Sequence, residues 1–210
     1  RPRTRTRARS RRQPRGPLKT VVAIVLLALL LFPVYWMLNI SLQPSGNALA
    51  GTFFPTHPSL AGYRSAITDQ GGHLVISLLI ASGTVVLTLL VSAPCAYALA
   101  QFRFRWISWA LLAILISQMI PGIVIANALY TAYERIGLLD SIPGLIIANS
   151  ANAIPFGILI MRSFMLGVPP SIVEAARVDG AGLVRAFLSI VVPISRNSMI
   201  TVGLFAFLFA

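Results

Sequence analysis

Long apolar runs separated by short polar breaks dominate this chain. The stretch 21–38 is uninterrupted apolar sequence, about the length at which a helix crosses a bilayer. Comparable runs follow and predict membrane spans near 18–40, 74–100, 106–130, 142–166 and 190–210. The expected fold is an all-α integral membrane protein, a polytopic helical bundle with about five spans. Tyr35 and Trp36 fall near the far end of the first run, where an interfacial aromatic belt is expected. The segment 43–72, rich in Pro, Gly and Ser, predicts a loop with Phe53, Phe54 and Tyr63 as interfacial contacts. Pro94 sits inside the second run and is tolerated, because neighbouring groups in a membrane bundle re-satisfy a freed carbonyl.

One polar island breaks the pattern. Residues 169–193 read PPSIVEAARVDGAGLVRAFLSIVVP. Pro169 and Pro170 end the helix arriving from the fourth run, since proline lacks an N–H and disfavours helical geometry in the residue before it. Ser171 with Glu174 fits a capping box, which predicts a new helix. Ala175 and Ala176 keep one face of it slim. Asp179-Gly180 is a helix-ending turn, after which Leu183, Val184, Phe187 and Leu188 repeat at helical spacing. The island therefore predicts a helix-turn-helix between two spans, with a coupling loop at 167–189.

Composition narrows the class. With 57% hydrophobic and 10% charged residues, the chain lacks the polar surface of a soluble globule. Its net charge of +12 is concentrated in a basic arm over 1–17, continued by Lys19. Arginines beside an apolar run read as a cytoplasmic anchor facing anionic lipid rather than as a nucleic-acid site. With that arm inside, fifteen of the seventeen basic residues fall on the cytoplasmic side, leaving only Arg64 and Arg135 outside. This asymmetry places the N-terminus and the island in the cytoplasm and the 43–72 loop outside it. A secretory signal is the competing reading of the start, from Arg11-Arg12 and the small-residue site Ala48-Leu49-Ala50. The apolar run exceeds the roughly 7–15 residues of a signal core, which favours an uncleaved span.

Residues with chemistry are few. Cys95 is the sole cysteine, so no disulfide forms within the chain. His57 and His73 have no second ligand at metal-binding spacing, and no metal site is expected. Pro121-Gly122 interrupts the third run, as a cavity-lining joint or as a packing kink. Asn149 and Asn152 lie inside the fourth run and face protein or a water-filled path, never lipid. They serve either as glue between helices or as contacts to a polyhydroxylated solute. The predicted span cores hold no Asp, Glu or His, which disfavours a proton-coupled secondary transporter. No His-Glu-x-x-His or Gly-x-Ser-x-Gly pattern supports an intramembrane enzyme, and no GxxxxGK[ST] loop supports ATP hydrolysis on this chain.

The island carries a resemblance. Glu174-Ala175-Ala176, three residues, Gly180, nine residues, Ile190, then Val192 and Pro193 is similar to the signature of permease subunits of bacterial ABC importers, with Val192 where the pattern has Leu. Glu174 to Ala181 as a whole, with Ile136-Gly137-Leu138-Leu139-Asp140, resembles the carbohydrate-uptake, maltose-permease-like branch. Ala96-Tyr97-Ala98-Leu99-Ala100 before Phe-Arg-Phe is similar too, although Arg105-Trp106 stands where Pro-Gly is usual.

The resemblance implies a translocation path for a sugar or oligosaccharide, built with a second permease chain in a bacterial cell membrane. Another solute, such as an amino acid, peptide or phosphonate, is the alternative cargo. It also implies two ATP-binding subunits carrying ATP and Mg, an extracytoplasmic solute-binding protein, and no cofactor on this chain. Glu174, Ala175, Ala176, Asp179, Gly180, Ile190 and Pro193 become the ATPase-coupling candidates. Pro121, Gly122, Asn149 and Asn152 become candidates for the path. Six spans are usual in this branch, so a further span is expected beyond the fifth.

Overall fold

The computed structural model describes residues 17–44, 52–55, 57–102 and 105–210. The basic arm through Gly16, Arg11-Arg12, Ala48-Leu49-Ala50 and Arg103 lie outside the described residues. Every regular element among the described residues is helical. Three helices are long and apolar enough to cross a membrane, and two bent pairs raise the number to five if each pair is one span. The fold is an all-α membrane bundle. The chain forms two compact units that divide between Gly71 and Gly72.

In the first unit, α1 (Pro17–Ser41) presents apolar side chains to its surroundings along its length. Its C-terminal end is tied to the following loop. Asn39 Nδ2 donates to the carbonyls of Thr52 and Phe53 at 2.7 and 3.0 Å, and Gln43 Nε2 donates to Thr52 at 2.9 Å. Tyr35 Oη donates to the Phe53 carbonyl, and Phe32, Tyr35, Trp36, Phe53 and Phe54 form one ring cluster. The aromatic belt expected near Tyr35 is thus held by hydrogen bonds to loop backbone.

The helix α2 (Ala61–Gln101) starts well before the span expected at 74. Residues 61–72, expected in the loop, are helical. Ser59 Oγ accepts from the N–H of Ala61 at 3.2 Å, satisfying one free donor of the first turn. Gly71 and Gly72 are carried inside the helix, where each costs about 0.5–1 kcal/mol relative to alanine.

In the second unit, α3 (Ile107–Ser117) and α4 (Gly122–Ile136) meet at a bend of 93°. Pro121 causes it by holding φ −58° and ψ 134°. The left-handed Gly137 closes α4 (φ 70°). Ser141 caps α5 (Ile142–Met165) by accepting from Gly144 at 3.1 Å. The core lies where α2, α5 and α9 (Arg196–Phe209) meet along small residues. Gly157 is one close approach: a Cβ there would stand 3.0 Å from Val202 Cγ1 and 3.1 Å from Ser92 Oγ. Small side chains bring helix backbones close where lipid offers no hydrophobic drive.

Candidate functional site

The island folds as a two-helix elbow. Pro169, at φ −61° and ψ 128°, breaks the incoming helix and serves as the N-cap of α6 (Pro170–Val178). Pro170 then takes the first helical position, where a missing N–H costs nothing. The capping box read from Ser171 and Glu174 is therefore absent: Ser171 is already inside the helix and no side chain caps it. The prolines supply the start geometry that the serine was expected to give.

The far end of α6 follows the sequence closely. Gly180 adopts φ +87°. Its N–H donates to the Arg177 carbonyl at 3.1 Å, and the Ala181 N–H reaches back to Ala176 at 2.9 Å. These two bonds make a Schellman motif, which needs a left-handed residue at that place. Nothing lies within 4 Å of where a Gly180 Cβ would be, so the demand for glycine is conformational rather than spatial. The Asp179 carboxylate makes no hydrogen bond among the described residues; its backbone N–H donates to Ala175 at 3.0 Å.

The second arm is α7 (Leu183–Ala186), a π-helical turn over Phe187–Val191, and α8 (Val192–Ile194). The Val192 N–H reaches the Phe187 carbonyl five residues back. Pro193 accounts for that widening, because its ring would strike the carbonyl four residues back in a tight α turn. Ile190 lies in the π turn and Pro193 in α8. Pro193 was expected to begin the fifth span, yet α8 runs through it. The chain bends by 78° one step later, at Ser195 (φ −87°, ψ 7°), and α9 begins at Arg196.

α6 buries one face and offers the other. Val173 is 7% exposed and joins a cluster with Ala93, Ala96 and Tyr97 of α2, Met161 and Met165 of α5, Ala186 and Val191 of the elbow, and Val202 of α9. Burying such a side chain contributes about 1.5–3 kcal/mol. Tyr97 also stacks at an angle on Phe187, with ring centroids 5.3 Å apart. Turned away from Val173, Glu174 and Ala175 are exposed, while Ala176 is half-buried.

Two polar side chains missed from the sequence join the C-terminal ends of α2 and α5. Arg162 Nε donates to the Leu99 carbonyl at 3.1 Å. Gln101 Nε2 donates to the carbonyls of Met165 and Val168, each at 3.2 Å. Each thereby satisfies end carbonyls of the other helix. Their signal was present as a lone amide and a lone cation at the inner ends of two apolar runs, but sequence does not say which carbonyls they reach.

The path candidates are dispersed. Asn149 Nδ2 donates to the Ala210 carbonyl at 3.3 Å, while Asn152, one turn on, is exposed and makes no side-chain hydrogen bond among the described residues. Pro121 and Gly122 are exposed at the 93° bend, far sharper than a packing kink. His57 and His73 belong to no cluster of metal-ligating side chains among the described residues.

The described residues form a helical membrane bundle with a glycine-turned elbow between two of its apolar segments. The family described as "Binding-protein-dependent transport system inner membrane component" matches residues 92–210, and the chain belongs to it. The chain is 34% identical to the diacetylchitobiose uptake system permease protein NgcG of Streptomyces coelicolor, over 86% of this chain and 61% of that protein. It is 31% identical to the sulfoquinovosyl glycerol transport system permease protein SmoH of Agrobacterium fabrum, over 91% and 68%. It is 30% identical to the trehalose transport system permease protein SugB of Mycobacterium tuberculosis, over 86% and 66%. The chain thus spans about two thirds of the length of these relatives. Its fold is similar to a crystal structure of a bacterial ABC transporter involved in the import of the polysaccharide alginate. That match has a TM-score of 0.78 at 22% identity, over 92% of this chain and 69% of that one.

Proposed function

We propose that this chain is a permease subunit of an ATP-driven importer for a sugar or oligosaccharide. A second permease chain completes the path, an extracytoplasmic binding protein delivers the solute, and two separate subunits hydrolyse ATP with Mg. The N-terminal arm and the elbow lie in the cytoplasm, as the distribution of basic residues demands.

The observation that carries this reading is the two-faced α6, seated by Val173 on α2, α5 and α9 while Glu174 and Ala175 stand exposed. An ATPase subunit receiving α6 in a groove pairs a basic residue with Glu174 and packs against Ala175. Displacement of α6 then passes to three spans through one buried cluster rather than through loose loops. Gly180 holds the angle between the elbow's two arms. Asn149, Asn152 and the Pro121-Gly122 bend remain the candidates for contact with a hydroxyl-rich solute. All three reported relatives are named as permeases for glycosides, which supports a carbohydrate as cargo.

The test is purification of the tagged chain from native membranes, followed by reconstitution with its solute-binding protein. An ATP-binding subunit should co-purify and uptake should require ATP. Uptake driven by an ion gradient in the absence of ATP would overturn the proposal.

A further inference from the structure

A cavity of about 240 Å³ lies between the two roots of the elbow. One wall is the link from α5 to α6, around Val168 and Pro169; the other is the bend from α8 into α9, where Ser195, Asn197 and Ser198 line it. Its volume is several times the roughly 30 Å³ that a water molecule takes up in the liquid.

The polar wall is made of donors. Ser195 is the N-cap of α9, a helix of 14 residues, whose first turn presents N–H groups with no partner inside the helix. A serine at that place ordinarily accepts one of them through its side chain, and Ser195 does not. The residue is 5% exposed, and its hydroxyl has no hydrogen-bond partner among the described residues. A buried hydroxyl in that state is costly to keep unless a ligand pairs with it. The Ser198 hydroxyl is spent on the Ser195 carbonyl at 2.8 Å. Asn197 is exposed, and its amide makes no side-chain hydrogen bond among the described residues.

Electrostatics sets the sign of the ligand. The helix macrodipole places partial positive charge at the start of α9. The first turn holds no acidic residue, and Arg196 at the first helical position adds a full positive charge to that end. Arg196 does not line the cavity and contributes by its charge alone. A cation at a helix N-terminus is unfavourable, and an anion seated beside it offsets the cost. No residue lining the cavity is acidic. Helix N-terminal N–H groups are ready-made donors to phosphate oxygens, and here an unpaired hydroxyl and an unpaired amide stand next to them.

We infer that this cavity is a phosphate-binding site, in which the first-turn N–H groups of α9, the Ser195 hydroxyl and the Asn197 amide donate to one phosphate group. That group belongs to free phosphate or to the head of an anionic glycerophospholipid, and the donors serve both alike. Bound there, it ties the start of α6 to the start of α9. Occupancy then sets how far a displacement of α6 is passed to α9. This consequence rests on α6 receiving the ATPase subunit as proposed above; the binding does not.

The experiment uses the purified complex with its partner subunits, in two arms. The first measures thermal stability in inorganic phosphate against chloride at equal ionic strength. The second measures, by native mass spectrometry, retention of phosphatidylglycerol against diacylglycerol with the same acyl chains. Wild type should respond in at least one arm: the first alone assigns free phosphate, the second alone the lipid head. Asn197→Ala should weaken that binding about tenfold, the loss of one hydrogen bond to a charged group. Ser195→Ala should weaken it to a similar degree while leaving the ligand-free complex no less stable than wild type, because its hydroxyl has no partner to lose. No response of wild type in either arm overturns the inference, and so does wild-type binding in both variants. Efficient cross-linking of Asn197→Cys, in a Cys95→Ser background, to another subunit also overturns it, since a protein group would then fill the cavity. None of these readings depends on what drives solute uptake, so a failure of the proposed function and a failure of this site are told apart.

Discussion

The Nε of Arg162 on α5 donates to the carbonyl of Leu99 on α2 across 3.1 Å, joining two spans at the level where the elbow sits. Arg162→Met leaves that carbonyl without its partner beneath a buried cluster. The expected cost is about 1–3 kcal/mol, the penalty of an unsatisfied polar group. Arg162→Lys recovers only part of it, because an ammonium on a flexible stem does not reproduce the guanidinium's fixed geometry. Thermal unfolding of the detergent-solubilised complex should rank wild type above Lys and Lys above Met. Equal stability of all three would show that this bond does not hold α2 to α5.

Gly157 and Gly71 make a matched pair. A Cβ at Gly157 would stand 3.0 to 3.2 Å from Val202 and Ser92, whereas one at Gly71 meets nothing within 4 Å. Gly157→Ala should destabilise by about 1–3 kcal/mol through overpacking. Gly71→Ala should stabilise α2 by about 0.5–1 kcal/mol. Thermal melts of the two variants should move in opposite directions.

Thr84 and Thr88 are fully buried on α2, one turn apart, and their hydroxyls have no hydrogen-bond partner among the described residues. Thr88→Val keeps the shape and removes an unpaired polar atom. An increase in stability of about 1 kcal/mol is expected. A loss of stability would mean that the hydroxyl is paired in the membrane.

Asn152 is exposed and free of side-chain hydrogen bonds among the described residues, which distinguishes it from an amide that joins helices within this chain. Asn152→Ala should leave the stability within about 0.5 kcal/mol of wild type, as surface changes do. It should raise the KM for solute uptake. A fall in stability with unchanged KM would make the residue a structural contact to another subunit.

The elbow was legible in the sequence because its signals are local. Two prolines, an Asp-Gly turn and helical spacing on either side specify two short helices, and Gly180 adopts the left-handed geometry that the turn requires. Pro121-Gly122 was legible as a break for the same reason, although its angle was not. The exact starts were harder to read. Ser171 looked like a cap, but Pro169 already held the extended geometry two residues earlier. The fifth span was expected from near 190, but α8 carries the chain on through Pro193 after the π turn and the bend falls at Ser195. The early start of α2 at Ala61 went against a Pro, Gly and Ser-rich segment, where Ser59 rather than composition decided the outcome. Arg162, Gln101, Asn39 and Gln43 were invisible as structural residues, because each bonds to backbone carbonyls that are distant in sequence or conformation-dependent.

The central claim is that work done by separate ATPase subunits enters through the elbow. The most direct measurement is solute transported per ATP hydrolysed by reconstituted Gly180→Asp complex. An L-residue at φ +87° carries strain of about 1–2 kcal/mol, or roughly tenfold in the population of the correctly angled elbow. The account predicts a complex that inserts and assembles, hydrolyses ATP, and transports about tenfold less solute per ATP. Transport per ATP equal to that of wild type would contradict it.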